Sequence, residues 1–243
     1  MLRLHSIETF GTHDGPGIRL VLFTQGCNMR CLYCHNPDTQ PMDNDQSRLW
    51  STAELLELLE RQRNYFNNGG GLTVSGGEPV LQARALTDLF QACRQADIHT
   101  CLDTSGSVFN KDTRRLYELT DLVLLDVKHI DPHWHERLTG MSNELALANA
   151  AHREQSGQEM WLRYVLVPEY SDQPEHLHAW GRHFAAYKSV TRVELLPYHE
   201  LGKYKYQLLG RKYELEHIKP PTAAQVEAAA EIFRQYFATV VVA

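Results

Sequence analysis

Cys27, Cys31 and Cys34 stand in the frame Cys-x-x-x-Cys-x-x-Cys directly after an apolar run, and no fourth cysteine lies nearby to complete the set. Thiolates at such spacing are ligands for iron. A fully ligated 4Fe-4S cluster normally takes four cysteines, so three would hold three irons and leave the fourth open to a substrate. Tyr33, an aromatic just ahead of the last cysteine, suits that reading. The alternative is a structural zinc site completed by His35. Zinc ligands usually come as two Cys-x-x-Cys knuckles or as a cysteine pair with a distant histidine pair. His35 is adjacent to Cys34, where neighbouring side chains rarely converge on one ion, so the spacing favours the cluster.

Other groups capable of chemistry follow apolar runs along the chain. Ser75-Gly76-Gly77-Glu78-Pro79 combines two glycines that let the backbone approach a ligand, a carboxylate suited to an ammonium, and a proline that fixes the exit. Asp103-Thr104-Ser105-Gly106, Asp126-Val127-Lys128 and Pro197-Tyr198-His199 end three further runs. Lys128 offers a cation for a ligand carboxylate, while Asp103 and Asp126 could hold a monovalent cation or orient polar ligand groups. Arg163 sits inside the apolar run Trp161 to Val167, where an arginine is costly unless paired. It should face a polar cavity and bind a carbonyl or carboxylate of a substrate. Gly11 to Gly17 is turn-rich and places Asp14 before the first of these runs. Cys93 and Cys101 read as small core residues.

The elements that must position these groups alternate in type. Strands are expected at about Ile18 to Gln25, Leu72 to Ser75, Ile98 to Asp103, Leu122 to Val127, Trp161 to Val167 and Val193 to Leu196, with Thr239 to Val242 as a short seventh. Amphipathic helices separate them: Ser51 with Glu54 makes a capping box before Leu55, and Thr222 opens a last helix reaching about Phe237. Such βα units build a parallel sheet, whose chemistry gathers at the carboxyl ends of the strands. Alternation puts His99, Cys101 and Asp103 on one face of their strand. Six units are too few for a closed eight-stranded barrel, so the expected fold is α/β, a partial (β/α)6 open TIM-like barrel. No linker or composition break divides residues 1–243, which predicts a single domain.

The 243 residues carry 24 Lys and Arg against 30 Asp and Glu, a net charge of -6, which gives no electrostatic footprint for nucleic acid or an anionic membrane. No apolar stretch approaches the ~18 residues of a membrane span, and Met1 to Phe10 has no signal-peptide core. A cytoplasmic protein is expected. A reducing compartment would suit five cysteines that form no disulfide framework.

These motifs together resemble the radical S-adenosylmethionine (SAM) enzymes, whose hallmark is the spacing of Cys27, Cys31 and Cys34. Gly76 to Pro79 resembles their Gly-Gly-Glu-Pro motif, which binds the amino group of SAM. Asp14 to Arg19 resembles the Asp-Gly-Pro-Gly-Ile-Arg signature of glycyl-radical enzyme activases, and similarity extends through Thr100 to Gly106, Asp126 to Lys128, Arg163 to Pro168 and Leu195 to Lys203. The resemblance implies one 4Fe-4S cluster on Cys27, Cys31 and Cys34, and a radical SAM core. It assigns SAM to Tyr33, Cys34, His35, Gly76, Gly77, Glu78, Asp103, Asp126, Val127, Lys128 and His199, with a monovalent cation near Asp103. Asp14 and Arg163 would hold a substrate peptide.

The implied reaction is reductive cleavage of SAM to methionine and a 5′-deoxyadenosyl radical that takes a hydrogen from a glycine of a partner enzyme. Pyruvate formate-lyase or a similar glycyl-radical enzyme is the implied partner, and flavodoxin or ferredoxin the implied electron donor. His35 to Gly70 contains no cysteine, so extra clusters of the kind found in some activases are not expected there. A radical SAM enzyme acting on a small molecule would use the same core.

Overall fold

The computed structural model describes every residue except Asn68. The chain forms two compact units, Met1–Asn28 with Thr39–Leu124, and Met29–Asp38 with Leu125–Ala243. The first contains β1 (Leu2–Gly11), β2 (Arg19–Thr24), β3 (Arg48–Trp50), α1 (Thr52–Gln62), β4 (Gly71–Gly76), α2 (Ala83–Gln95), β5 (His99–Thr104), α3 (Lys111–Leu119) and the first part of β6 (Leu122–Asp126). The strand order there is β3-β1-β2-β4-β5-β6. β2, β4 and β5 run parallel, as expected of βα units. β1 and β3, which the sequence reading did not anticipate, add antiparallel pairs at the edge.

Local chemistry explains these elements. In the α1 capping box the Ser51 hydroxyl accepts from the Glu54 N–H, and the Glu54 carboxylate accepts from the Ser51 N–H at 2.8 Å. Leu55 and Leu59, one turn apart, then bury the same helix face. β4 is buried on both faces, as parallel strands between layers are. Leu72 and Val74 alternate there with Thr73 and Ser75, and Ser75 Oγ donates to Asp103 Oδ2 of β5 at 2.7 Å. The polar face of β5 inferred from alternation therefore carries a polar partner from β4.

The second unit continues with α4 (Pro132–Thr139), α5 (Glu144–Ser156), β7 (Met160–Leu166), α6 (Pro174–Phe184), β8 (Val190–Pro197), α7 (Lys203–Leu208), α8 (Ala223–Arg234) and β9 (Val240–Val242). Its strand order is β6-β7-β8-β9, with β7, β8 and β9 parallel. The order ends at β3 on one side and β9 on the other, so the sheet is open and mostly parallel. Trp180 of α6 centres an aromatic core, with ring centroids 5.6 Å from Tyr164, 4.8 Å from Phe184 and 4.9 Å from Phe233. Its indole N–H donates to the Val127 carbonyl at 3.0 Å, which anchors the chain just after β6.

Candidate functional site

In the first unit, the loop after β4 is set by close backbone approach. Gly76 has φ of 111°, and a Cβ there would lie 2.3 Å from Thr24 N; at Gly77 it would lie 2.2 Å from Gly26 O. Both glycines are required to seat this turn against the exit of β2, a constraint additional to any ligand. The Gly77 N–H donates to Thr24 O at 2.9 Å and the Glu78 N–H to Gly26 O at 2.8 Å, fixing the turn beside the start of the cysteine segment.

Glu78 is buried, and its carboxylate accepts from Thr104 Oγ1 at 2.5 Å, from the Ser105 N–H at 3.0 Å, from Ser105 Oγ, and from the Val80 N–H at 3.3 Å. Burial raises its pKa, and these hydrogen bonds oppose the rise. The sequence reading placed Glu78 at a ligand ammonium; the fold also uses it to fix the end of β5. Glu78→Gln is therefore expected to turn an amide N–H toward hydroxyl and backbone donors, at a cost of about 1–3 kcal/mol. Urea unfolding of the variant would read this as a lower midpoint at unchanged slope. An unchanged midpoint would return Glu78 to a ligand role alone.

The second unit holds the rest of the cysteine segment. Leu32, Tyr33 and Cys34 pack against a buried cluster that includes Leu138, Val167, Tyr198, Tyr206 and Tyr213. The Arg30 N–H donates to Thr139 O at 2.7 Å and the Leu32 N–H to Leu138 O at 3.0 Å. Tyr206 of α7 donates its hydroxyl to the Cys34 carbonyl at 3.2 Å, and Lys205 Nζ bonds Asn36 Oδ1 at 2.7 Å while pairing with Asp38 at 3.1 Å. Gly202 precedes α7, where a Cβ would come within 2.8 Å of the backbone of His35. Sequence reasoning covered Gly202 only as part of the similar stretch Leu195 to Lys203, with no role given to it, and missed Lys205 and Tyr206, because their partners lie far away along the chain.

Lys128 and Asp126 form an ion pair, Nζ to Oδ2 at 3.1 Å, with both side chains mostly buried. Burial alone would lower the Lys128 pKa; Asp126 and the neighbouring Tyr33 and Cys31 override it and hold the ammonium well above its ordinary value. Lys128 Nζ stands 5.6 Å from the centroid of the Tyr33 ring, so Tyr33 serves this cation from below. Burial raises the Tyr33 phenol well above its ordinary pKa, against the pull of Lys128. His35 packs edge-on against His199, ring centroids 4.9 Å apart. Its pKa is lowered by burial, then by His199 and Lys205, with Asp38 opposing. Val127 contributes its carbonyl to Trp180 and a fully buried side chain.

Asp14 belongs to the first unit, and its carbonyl accepts from Thr73 Oγ1 at 2.6 Å. Arg163, in the second, is buried beside its β8 register partner Glu194, Nε to Oε2 at 2.8 Å. The sequence reading required a partner for Arg163 and sought it in a substrate; Glu194 supplies one within the fold. A charged residue inside the run Val193 to Leu196 was the signal that could have found it.

The donor set fits an iron–sulfur cluster. Cys27, Cys31 and Cys34 are all half-buried and outside any disulfide, whereas Cys93 and Cys101 are buried. Among the described residues, no three His, Cys, Asp or Glu side chains gather as ligands of a single metal ion. A cubane instead takes each thiolate on a different iron.

Comparison with known proteins identifies the family. The sequence profile of the radical SAM superfamily matches residues 21–180. Pyruvate formate-lyase 1-activating enzyme of Escherichia coli (strain K12) is 44% identical over 237 residues, 96% of this chain and 96% of that protein. Pyruvate formate-lyase-activating enzyme of Staphylococcus aureus (strain USA300) is 45% identical over 233 residues, 93% of this chain and 92% of that one. Among solved structures, a domain of pyruvate-formate lyase-activating enzyme from Bacteroides vulgatus ATCC 8482 matches with a TM-score of 0.61 at 22% identity, over 72% of this chain and 99% of that chain. Streptococcus suis SuiB bound to precursor peptide SuiA matches with a TM-score of 0.71 at 16% identity, over 98% of this chain and 50% of that chain. At such identities the two structures speak for the fold alone. The cofactors of this superfamily are a 4Fe-4S cluster and SAM, and the frame of Cys27, Cys31 and Cys34 is the one it requires. With a superfamily match over most of the chain and close relatives along nearly all of it, the chain belongs to the radical SAM superfamily and, within it, to the pyruvate formate-lyase-activating enzymes.

Proposed function

We propose that this protein activates pyruvate formate-lyase by installing a glycyl radical on it. The observation that carries this reading is the identity of 44% spread over 96% of both this chain and an activating enzyme of that substrate. When bound and reduced, the cluster and SAM supply a 5′-deoxyadenosyl radical able to remove a hydrogen from a glycine of the partner.

The roles of this chain's residues follow from their chemistry. Cys27, Cys31 and Cys34 bind three irons. The turn Gly76-Gly77-Glu78 receives the amino group of SAM, and Lys128, held charged by Asp126, receives its carboxylate. Tyr33, His35, Val127 and His199 bound the cofactor, and Asp103 with Asp126 offers carboxylates for a monovalent cation. Asp14 and Arg163 bind the backbone of the partner's glycine loop. Residues 1–243 act as one domain, a reading supported by β6, whose residues belong to both compact units. An exposed Arg30 in the cysteine segment suits an acidic electron donor such as flavodoxin or ferredoxin. Among the described residues no helix is long and apolar enough to cross a membrane. A cytoplasmic site of action without nucleic acid or membrane partners remains part of this proposal, and the net charge of -6 is consistent with it.

The test is anaerobic incubation with reduced flavodoxin, SAM and pyruvate formate-lyase, followed by electron spin resonance. A glycyl-radical signal that requires every component is expected. Its absence, with SAM still cleaved, would favour a different glycyl-radical enzyme or a small-molecule substrate.

A further inference from the structure

Arg19 is fully buried at the start of β2, where burial lowers its pKa while Cys101, Asp14 and Asp121 oppose the shift, so its donors must be met within the fold. Its guanidinium is satisfied by the backbone. Nη1 donates to Pro16 O at 2.9 Å and Gly69 O at 2.8 Å, and Nη2 to Leu72 O at 2.6 Å. Nε donates to Thr73 Oγ1 at 2.5 Å, and that hydroxyl in turn donates to the Asp14 carbonyl at 2.6 Å. One rigid fork thus clamps the loop before β2 to the start of β4, and a two-bond relay ends at the residue assigned to the substrate peptide.

We infer that Arg19 and Thr73 are positioning residues for the peptide substrate: the relay Arg19 Nε–H to Thr73 O–H to Asp14 C=O fixes the backbone that aims the Asp14 carboxylate. The inference rests on the reading of Asp14 as a peptide contact. A hydroxyl that accepts one bond and donates the next is polarised by both, and the charged donor at the head of the relay strengthens the pair. Valine at 73 keeps the branched shape of threonine and removes both bonds, whereas serine keeps both bonds and removes a methyl group.

The experiment compares the wild type with Thr73→Val, Thr73→Ser, Asp14→Ala and the double variant Thr73→Val/Asp14→Ala, using pyruvate formate-lyase as substrate and glycyl-radical formation as the signal. Thr73→Val should raise KM for the partner about tenfold, the loss of one to two hydrogen bonds, with kcat little changed. Thr73→Ser should restore KM, and the double variant should match Asp14→Ala instead of adding to it. A general folding defect would lower the active fraction and hence kcat, leaving KM in place. If Asp14→Ala raises KM while Thr73→Val behaves as wild type, or if the two effects add in full, the relay is overturned and the peptide reading of Asp14 stands. If Asp14→Ala itself leaves KM unchanged, the peptide reading falls and the relay's role with it.

Discussion

Serine at Cys27, Cys31 or Cys34, introduced singly, is expected to abolish cluster-dependent cleavage of SAM, whereas serine at Cys93 or Cys101 should leave the iron content of the protein intact. The contrast follows from environment. Cys27, Cys31 and Cys34 are half-buried within one short segment, while Cys93 is enclosed in the α2 core and burial pushes its thiol up to about 12. A thiol that stays protonated at neutral pH is a poor iron ligand. Cys101 is fully buried, with its sulfur 3.9 Å from His99 Nδ1 on β5. Iron analysis and the absorption of the anaerobically reconstituted variants would check this, and loss of the cluster from Cys93→Ser or Cys101→Ser would contradict the three-ligand set.

Arg163→Ala is the second large effect expected, and it should appear first in stability. Removing one partner of a buried ion pair costs about 3–5 kcal/mol. The lower end applies here, because Arg192 stands 3.5 Å from the other oxygen of Glu194 and retains part of the compensation. Replacing both partners, as Arg163→Met with Glu194→Leu, should recover most of that loss, since no charge is then left buried. If Arg163 also contacts the peptide, the double variant will be stable and still show a raised KM for pyruvate formate-lyase. A double variant with normal KM would confine Arg163 to the β7–β8 pair.

These cases also show what a sequence can carry. The parallel strands were legible because each is an apolar run bounded by turn residues: Leu72 to Ser75 lies inside the observed Gly71–Gly76, and Ile98 to Asp103 is offset by one residue from His99–Thr104. The run Val193 to Leu196 under-read β8, which begins at Val190, because Thr191 and Arg192 are polar and less buried there. β1 was missed although Leu2 and Leu4 alternate correctly: beyond the stretch that pairs with β3, Ser6 to Phe10 are exposed or half-buried and bulges interrupt the pairing with β2, so little apolar signal remains. β3 is only three residues long.

The site divides in the same way. A cysteine frame is local, and so are Gly76 to Glu78 and Asp126 to Lys128; their spacing announces them. What supports them is not local. Tyr206 and Lys205 reach partners 172 and 169 residues away, and no pattern within either segment foretells those bonds. The hydrogen bonds that occupy Glu78, and those that join Arg19 to Thr73 and Asp14, became visible only once β2, β4 and β5 were in register.

The central claim, that a glycine hydrogen of pyruvate formate-lyase passes to the nucleoside portion of SAM, has one direct measurement. Pyruvate formate-lyase labelled with deuterium at the glycine α-carbons, incubated anaerobically with this protein, SAM and reduced flavodoxin, should yield 5′-deoxyadenosine carrying one deuterium by mass spectrometry, in step with the glycyl-radical signal. Unlabelled 5′-deoxyadenosine formed alongside a full radical signal would contradict direct hydrogen transfer, and with it the function proposed for this chain.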